Sequence, residues 1–172
     1  METLQTASEE IHSAYNAKVE YLVCDVTDEE SVEECLSKAA GSSKILDGVV
    51  ANAGGAIGLG TYQDLDAEQY LDTLKLNVLG TMHCVKHSIP YLANSGGGSF
   101  VGMSSIASNL THRYFGAYTV SKAGIVRFVE NLSEEIKKYN PDIVGISILT
   151  TEYAETADIA VSYTHLTLPT SE

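Results

Sequence analysis

The segment Ile45-Leu46-Asp47-Gly48-Val49-Val50-Ala51-Asn52 is a short, mostly apolar run that leads into the turn Ala53-Gly54. Its apolar residues follow one another and do not alternate with polar ones, which is typical of a strand buried on both faces of a sheet. Three other segments have the same character and a similar length: residues 19–25, 99–104 and 143–149. The four segments predict the strands of a parallel sheet.

Helical patterns separate the predicted strands. Apolar residues recur at helical spacing over residues 32–40, Thr27 and Glu30 have the spacing of a capping box, and Gly41 is placed to end this helix. Two longer helices are predicted, over residues 66–89 and 117–139. Strands that alternate with helices predict an α/β fold with right-handed crossovers.

Pro90 limits the first of the long helices, because proline lacks the backbone N–H that a helix interior needs. Asn140-Pro141 limits the second. Two glycine clusters follow or precede strands, at residues 54–60 and 96–98, and both are predicted to be turns and not phosphate-binding loops.

Composition and charge exclude several classes of function. The chain has 172 residues, enough for one domain, and 44% of them are hydrophobic. A net charge of −13 opposes binding to a phosphate backbone, so no nucleic-acid partner is expected. No apolar run approaches ~20 residues, so no membrane span is expected. Cys24, Cys35 and Cys84 are odd in number and scattered, which favours reduced, mostly buried thiols and a cytoplasmic protein.

Four polar residues suggest proton-transfer chemistry. Tyr118 and Lys122 are four residues apart and therefore share one helix face. Ser105 ends an apolar run upstream of them, and Asn77 lies in the segment Leu76-Asn77-Val78-Leu79-Gly80. A free phenol loses its proton only near pH ~10. An ammonium ~4 Å away favours the phenolate by up to ~4 kcal/mol at an effective dielectric near 20, so Lys122 is expected to make Tyr118 a proton donor near neutral pH.

The chain resembles the short-chain dehydrogenase/reductases, in their single-domain branch. The resemblance covers about residues 8–150. It rests on matching segments that follow one another in the family's order: Cys24-Asp25-Val26-Thr27-Asp28, Asn52-Ala53-Gly54, Asn77 in its Leu-Asn-Val-x-Gly setting, and Ser105 with Tyr118 and Lys122. The implied fold is a Rossmann-like, doubly wound parallel sheet.

The resemblance implies an enzyme that interconverts a carbonyl and an alcohol of a small molecule with NAD or NADP. Tyr118 would give its proton to the carbonyl or take it back, Ser105 would hold the carbonyl oxygen, and Lys122 would also bind the nicotinamide ribose. Asn77 would position a water that links Lys122 to solvent. A homodimer or homotetramer, formed through the two long helices, is also implied.

Further residues are implied to contact the cofactor. Asp25 and Val26 would contact the adenine, and the alternative is that Asp25 only begins a turn before Thr27. The cofactor would also be lined by three consecutive residues after a strand: Asn52, Ala53 and Gly54. The alternative for these residues is a tight turn at the end of the strand.

Both ends depart from the family's pattern. No Gly-rich Thr-Gly-x-x-x-Gly-x-Gly motif occurs, and a polar helical stretch leads directly into the first predicted strand. We therefore expect an internal piece of a longer protein, with residues 1–160 forming a partial, truncated domain that is inactive alone. Residues 161–172 resemble an in-frame translation of a sequencing adapter and are expected to be a non-native tail.

Other readings of the same residues remain open. A dinucleotide-binding module without turnover would keep the cofactor residues but not the chemistry, and a sugar-nucleotide epimerase shares the Tyr-x-x-x-Lys spacing. His83 and His87 are spaced like metal ligands but have no third ligand in sequence, so an interfacial or solvated helix face is expected. Tyr114 is expected in a substrate loop or in packing.

Overall fold

The computed structural model of the protein describes residues 2–136 and 143–147. A parallel sheet lies at its centre, formed by β1 (Gly48–Ala51), β2 (Ser99–Met103) and β3 (Ile143–Ser147) in the order β1-β2-β3. Both pairs of neighbours are parallel. The strands predicted at 45–52, 99–104 and 143–149 are confirmed, although β1 is shorter than expected and residues 148 and 149 lie outside the described part.

Five α-helices accompany the sheet within the described residues. Their bounds are α1 Glu2–Tyr15, α2 Glu29–Ala40, α3 Ala67–Leu74, α4 Gly80–Asn94 and α5 Gly116–Glu135. The α/β class with a parallel sheet is therefore confirmed. The predicted end of the last helix at residue 139 lies outside the described residues, as does the whole predicted tail 161–172.

The core forms where α5 packs on β2. Ile125 and Val129 on the helix and Phe100 on the strand are all at most 3% exposed. Gly102 allows this close approach, since a Cβ at that position would lie 2.9 Å from Val129 Cγ2. Burial of such side chains contributes about 1.5–3 kcal/mol each, so this layer holds the helix that carries the predicted phenol and ammonium.

The predicted strand over residues 19–25 is wrong. This segment has no regular secondary structure, and Tyr21, Leu22 and Val23 are exposed there. A β-strand requires hydrogen bonds to a neighbour, and the described sheet ends at β1 without a partner for this segment. An apolar run therefore did not suffice to form a strand.

The predicted capping box of Thr27 and Glu30 is also wrong. Asp28 is the N-cap of α2, and its carboxylate accepts a 3.1 Å hydrogen bond from the Glu30 N–H. Thr27 instead donates its hydroxyl proton to Asp25. The predicted helix end at Gly41 is confirmed, with a φ of 58° that suits glycine.

The predicted start of a long helix near Asp66 is confirmed, but the helix is interrupted before it reaches Pro90 and continues beyond that residue. Asp66 is the N-cap of α3, a π-helical segment Lys75–Leu79 joins α3 to α4, and α4 continues through Pro90 to Asn94. Proline costs about 3 kcal/mol inside a helix. Contacts beyond Pro90 offset that cost, because Leu92 is buried and Tyr91 O accepts a hydrogen bond from Leu46 N.

Helix α2 is held against α4 by charges. The Glu29 carboxylate accepts hydrogen bonds from Lys86 Nζ and from His87 Nε2 at 3.0 Å, which lower the pKa of Glu29 to about 2. His83 is 7% exposed, and its Nδ1 donates a 3.0 Å hydrogen bond to Val26 O. The two histidines thus lie in a helix interface, which is one of the two expected outcomes.

Candidate active site

Tyr118 and Lys122 lie together near the N-terminal end of α5. Lys122 Nζ is 5.6 Å from the centroid of the Tyr118 ring, within the range of a cation–π contact. Lys122 is only 4% exposed, and its ammonium donates a 2.8 Å hydrogen bond to Met103 O at the end of β2. Burial lowers the pKa of the Lys122 ammonium. The predicted pair therefore shares one helix face at the carboxyl edge of the sheet.

Ser105 lies two residues after Met103, the last residue of β2, whose carbonyl binds the Lys122 ammonium. Its Oγ accepts a 3.2 Å hydrogen bond from Ala107 N and so begins the short 3₁₀-helix Ile106–Ser108. Ser104 Oγ donates 2.9 Å to Lys122 O, which ties this strand end to α5. The hydroxyl proton of Ser105 has no acceptor among the residues described, and it is free to be donated.

Asn77 is fully buried in the π-helical segment. Its Oδ1 accepts from Gly55 N at 2.9 Å, and its Nδ2 donates to Gly55 O and to Ser121 Oγ, both at 2.8 Å. A π-helical turn widens a helix locally and is frequent at functional sites. Here the extra residue turns the Asn77 amide toward the loop that follows β1 and toward α5.

Gly54 completes the contact between this loop and the two polar side chains. A Cβ on Gly54 would lie 2.5 Å from Asn77 Oδ1 and 3.1 Å from Lys122 Nζ. Only glycine therefore fits at this point without displacing one of them. Asn52 and Ala53, the residues before it, are exposed at the carboxyl end of β1.

Ser121 is a site residue that the sequence reasoning missed. It is 0% exposed, accepts the hydrogen bond from Asn77 Nδ2, and donates 2.7 Å to Tyr118 O. The signal was present in the sequence, because Ser121 interrupts the buried stripe that Ala117 and Ile125 form at helical spacing. A polar residue within a buried stripe needs a partner, and here the partner is Asn77.

Asp25 and Val26 form a turn some distance along the chain from these residues. Asp25 Oδ1 accepts hydrogen bonds from Thr27 Oγ1 at 2.8 Å and from Thr27 N at 2.9 Å, which lower the pKa of the Asp25 carboxyl. Val26 packs on the first residue of α4, since a Cβ on Gly80 would lie 2.9 Å from Val26 Cγ2. The contacts of Asp25 are those of a turn residue, as the alternative interpretation expected. The contact of Asp25 with adenine stays a prediction.

The described residues also bear on metal sites, on membrane spans and on the cysteines. Within residues 2–136 and 143–147 no group of three or more His, Cys, Asp or Glu side chains is placed to hold a metal ion. No helix in the described part of the chain has the length and apolar character to cross a membrane. The three cysteines are free, and burial raises the pKa of the Cys84 thiol to about 11.

Comparison with known proteins identifies the family of this chain. The family model described as short chain dehydrogenase matches residues 1–163. The chain belongs to the short-chain dehydrogenase family. A short-chain type dehydrogenase/reductase from Mycobacterium ulcerans is 32% identical and superposes with a TM-score of 0.77, which covers 91% of this chain and 59% of that one.

Other members of the short-chain dehydrogenase family are similar at lower identity. Cis-4-hydroxycyclohexanecarboxylate dehydrogenase from Sinomonas cyclohexanicum is 28% identical over 136 residues, which is 79% of this chain and 53% of the relative. The alcohol dehydrogenase from Thermococcus sibiricus, solved with 5-hydroxy-NADP, is 25% identical with a TM-score of 0.74, covering 86% of this chain and 60% of that one. The chain thus spans about half the length of the curated relatives it matches.

Proposed function

We propose that the full-length protein is an NAD(P)-dependent oxidoreductase that interconverts a carbonyl and an alcohol, with Tyr118 as general acid and base. The observation that carries this proposal is the buried ammonium of Lys122 beside the Tyr118 ring, at a distance of 5.6 Å from its centroid. The Met103 carbonyl at the sheet edge anchors that ammonium, one residue before the Ser104–Ser105 pair. This arrangement combines a phenol, a fixed positive charge and a free hydroxyl proton.

The residues after β1 fit a dinucleotide such as NAD or NADP. Asn52 and Ala53 are exposed, and the missing side chain of Gly54 leaves its backbone against Asn77 and Lys122. Relatives support the same cofactor class, since the enzyme from Thermococcus sibiricus was solved with 5-hydroxy-NADP. When bound, the nicotinamide supplies or accepts the hydride. Lys122 retains ammonium protons beyond the one given to Met103 O, and these are available to ribose hydroxyls.

The protein's own residues would move and hold the proton. Ser105 donates to the carbonyl oxygen and stabilises the negative charge that develops there, while Tyr118 exchanges the proton with the same oxygen. The Lys122 ammonium places a positive charge beside the Tyr118 ring. Asn77 uses both Nδ2 protons inside the protein, so a linking water would have to be held through Oδ1.

Replacement of Tyr118 by Phe in the full-length protein tests the proposal. We expect turnover to fall by about 10²–10⁴-fold, because the proton donor is lost. Binding of NADH and NADPH, followed by fluorescence, should remain. The assay panel pairs NAD and NADP with secondary alcohols, including 4-hydroxycyclohexanecarboxylate, on which the relative from Sinomonas cyclohexanicum acts by its name.

Tyr15→Phe is the matched control, because Tyr15 is 79% exposed on α1. Wild-type turnover in the Tyr118→Phe variant would overturn the proposed role. Cofactor binding by the wild type without turnover of any alcohol or ketone would instead favour the dinucleotide-binding module.

We also propose that the full-length protein forms a homo-oligomer through α3, α4 and α5. The support is exposed apolar side chains on α3, on the π-helical segment that leads into α4 and on α5, namely Leu71, Leu79 and Val120, which are 41–55% exposed. Such side chains on neighbouring helices favour burial against another copy. Light scattering of the wild type and of Leu71→Arg tests this, with a monomeric wild type as the contradicting result.

A further inference from the structure

A cavity of about 260 Å³ lies at the N-terminal end of α5, between two loops. One wall comes from the loop that follows β1, with Gly60 and Tyr62, and the other from the loop that precedes α5, with His112, Arg113 and Tyr114. None of the residues that line this cavity is acidic. The helix that it adjoins carries Tyr118, so the cavity lies beside the candidate active site.

Arg113 has no anionic partner among the described residues. No ion pair of the described residues includes it, although the chain has 23 Asp and Glu against 10 Lys and Arg. Arg127, farther along α5, is paired with Glu130 at 2.6 Å. Asp64, near the first wall, accepts the hydroxyl proton of Thr61. An unpaired guanidinium in so acidic a protein is a natural partner for an anion from outside.

The Arg113 guanidinium is held in place by an aromatic ring. Its central carbon lies 5.4 Å from the centroid of the Tyr114 ring, a cation–π contact. Tyr114 itself has a φ of 72°, which is unfavourable for a bulky residue. A residue held in this left-handed region points to a functional constraint. Here the conformation of Tyr114 sets the direction of the backbone at Arg113 and Tyr114.

Contacts between the two walls keep the cavity open in one shape. Gly60 N donates a 3.1 Å hydrogen bond to Tyr114 O, and the Tyr62 ring lies on Gly116, where a Cβ would be 3.0 Å from the ring. A row of edge-to-face rings continues from this cavity to the reacting phenol. The ring centroids of His112 and Phe115 are 6.3 Å apart, and those of Phe115 and Tyr118 are 6.1 Å apart.

We propose that this cavity receives the carboxylate of a substrate that carries its ketone or secondary alcohol at the other end. The proposal rests on the proposed oxidoreductase function and names its substrate class. The guanidinium presents a planar fork of donors that matches one carboxylate in a bidentate pair. The phenol and imidazole groups of Tyr62, Tyr114 and His112 supply further hydrogen-bonding partners around it.

Binding of cyclohexanecarboxylate and of its uncharged methyl ester to the full-length protein, followed by ligand-observed NMR, tests the carboxylate subsite without turnover. We expect the acid to bind and the ester to bind at least about tenfold more weakly, because a charge-assisted hydrogen bond is lost. Arg113→Gln should weaken binding of the acid by about tenfold or more and leave the ester unchanged. The affinity of Arg113→Lys for the acid should lie between those of the wild type and of Arg113→Gln, because lysine keeps the positive charge but not the planar fork of donors.

Arg127→Gln is the matched control, since it removes a guanidinium on α5 that does not line the cavity. Equal binding of acid and ester, binding of neither, or unchanged binding of the acid by Arg113→Gln would each overturn the subsite. Turnover of 4-oxocyclohexanecarboxylate and its methyl ester with NADH and NADPH separates the two proposals. Arg113-dependent binding without turnover would overturn the oxidoreductase activity, whereas equal turnover of both ketones by wild type and Arg113→Gln would overturn only the carboxylate subsite.

Discussion

Asn77 and Ser121 are joined by a 2.8 Å hydrogen bond from Nδ2 to Oγ, although 44 residues separate them in the sequence. Ser121 in turn donates its hydroxyl proton to Tyr118 O. The π-helical segment and the helix of the candidate proton donor are therefore connected through two buried side chains. The first prediction concerns this connection.

Ser121→Ala should lower the free energy of unfolding by about 1–3 kcal/mol, because it leaves one of the two N–H groups of the buried Asn77 amide without an acceptor. Urea unfolding measures the change. Ser133→Ala is the matched control, since Ser133 is equally buried on α5 but donates only to Glu130 O on its own helix. The same loss in both variants would mean that the Asn77 contact contributes nothing of its own.

Gly54→Ala should disturb the packing of the candidate site, although it adds only one methyl group. The added Cβ would lie 2.5 Å from Asn77 Oδ1, so the Asn77 side chain or the loop must shift, at a cost of about 1–3 kcal/mol. Gly55→Ala is the control, because its nearest neighbour would be Leu76 Cδ2 at 3.9 Å, an ordinary contact. Thermal unfolding of the two variants should differ, and equal melting temperatures would contradict the close packing at Gly54.

Comparison of the stability of Lys122→Met with that of the wild type at several pH values should reveal that the Lys122 ammonium is buried. Burial lowers the pKa of Lys122 in the folded protein, so between this value and the usual lysine value of about 10.4 the unfolded chain binds more protons than the folded one. Stability then rises with pH in this window. We expect the unfolding free energy of the wild type, minus that of Lys122→Met, to increase from neutral pH toward pH ~10.

Urea unfolding at several pH values measures this difference. Lys75→Met is the control, because Lys75 is an exposed lysine in an exposed ion pair with Asp72. A difference that stays flat or falls with rising pH for Lys122→Met would show that the ammonium is well solvated in the folded protein.

Glu29→Gln should weaken the contact between α2 and α4 in a pH-dependent way. Hydrogen bonds from Lys86 and His87 lower the pKa of Glu29 to about 2, so its contribution is fully present above the unfolded value of about 4.3 and is lost as pH falls through about 2. The melting temperature of the wild type should exceed that of Glu29→Gln near pH ~6, and the gap should narrow toward pH ~3.

Glu33→Gln serves as the comparison for Glu29, since its carboxylate lies 4.0 Å from His87 Nδ1 and is 65% exposed. Added salt should also reduce the effect of Glu29→Gln, because the pair is partly exposed to solvent. An undiminished gap at low pH would show that the carboxylate acts by packing and not by charge.

The sequence predicted three of the strands and most helix positions because their patterns are local. It failed for residues 19–25, since an apolar run is a strand only where a neighbour offers hydrogen bonds. It placed the N-cap one residue early, at Thr27 and not Asp28, because several side chains there are able to cap. It stopped a helix at Pro90, whereas contacts of Tyr91 and Leu92 carry α4 onward.

The candidate site also has some features that the sequence predicted and others that it did not. The spacing of Tyr118 and Lys122, and the residue types at Asn77 and Ser105, were readable because they depend on helix periodicity and on short motifs. The sequence did not show that Gly54 touches both Asn77 and Lys122, or that Arg113 has no carboxylate partner within the described part of the chain, because both facts depend on segments far apart in the chain.

The sequence alone determined the family and the α/β class and indicated the candidate residues for proton transfer, because local periodicity and motif spacing depend on residues close together in the chain. Only the tertiary structure decided which polar groups meet: Lys122 with Met103 O, Asn77 with Gly55 and Ser121, and the cavity at Arg113. Hydrogen bonds and close packing act over a few ångströms in space. The partners of a buried polar side chain are therefore fixed by how distant segments pack together.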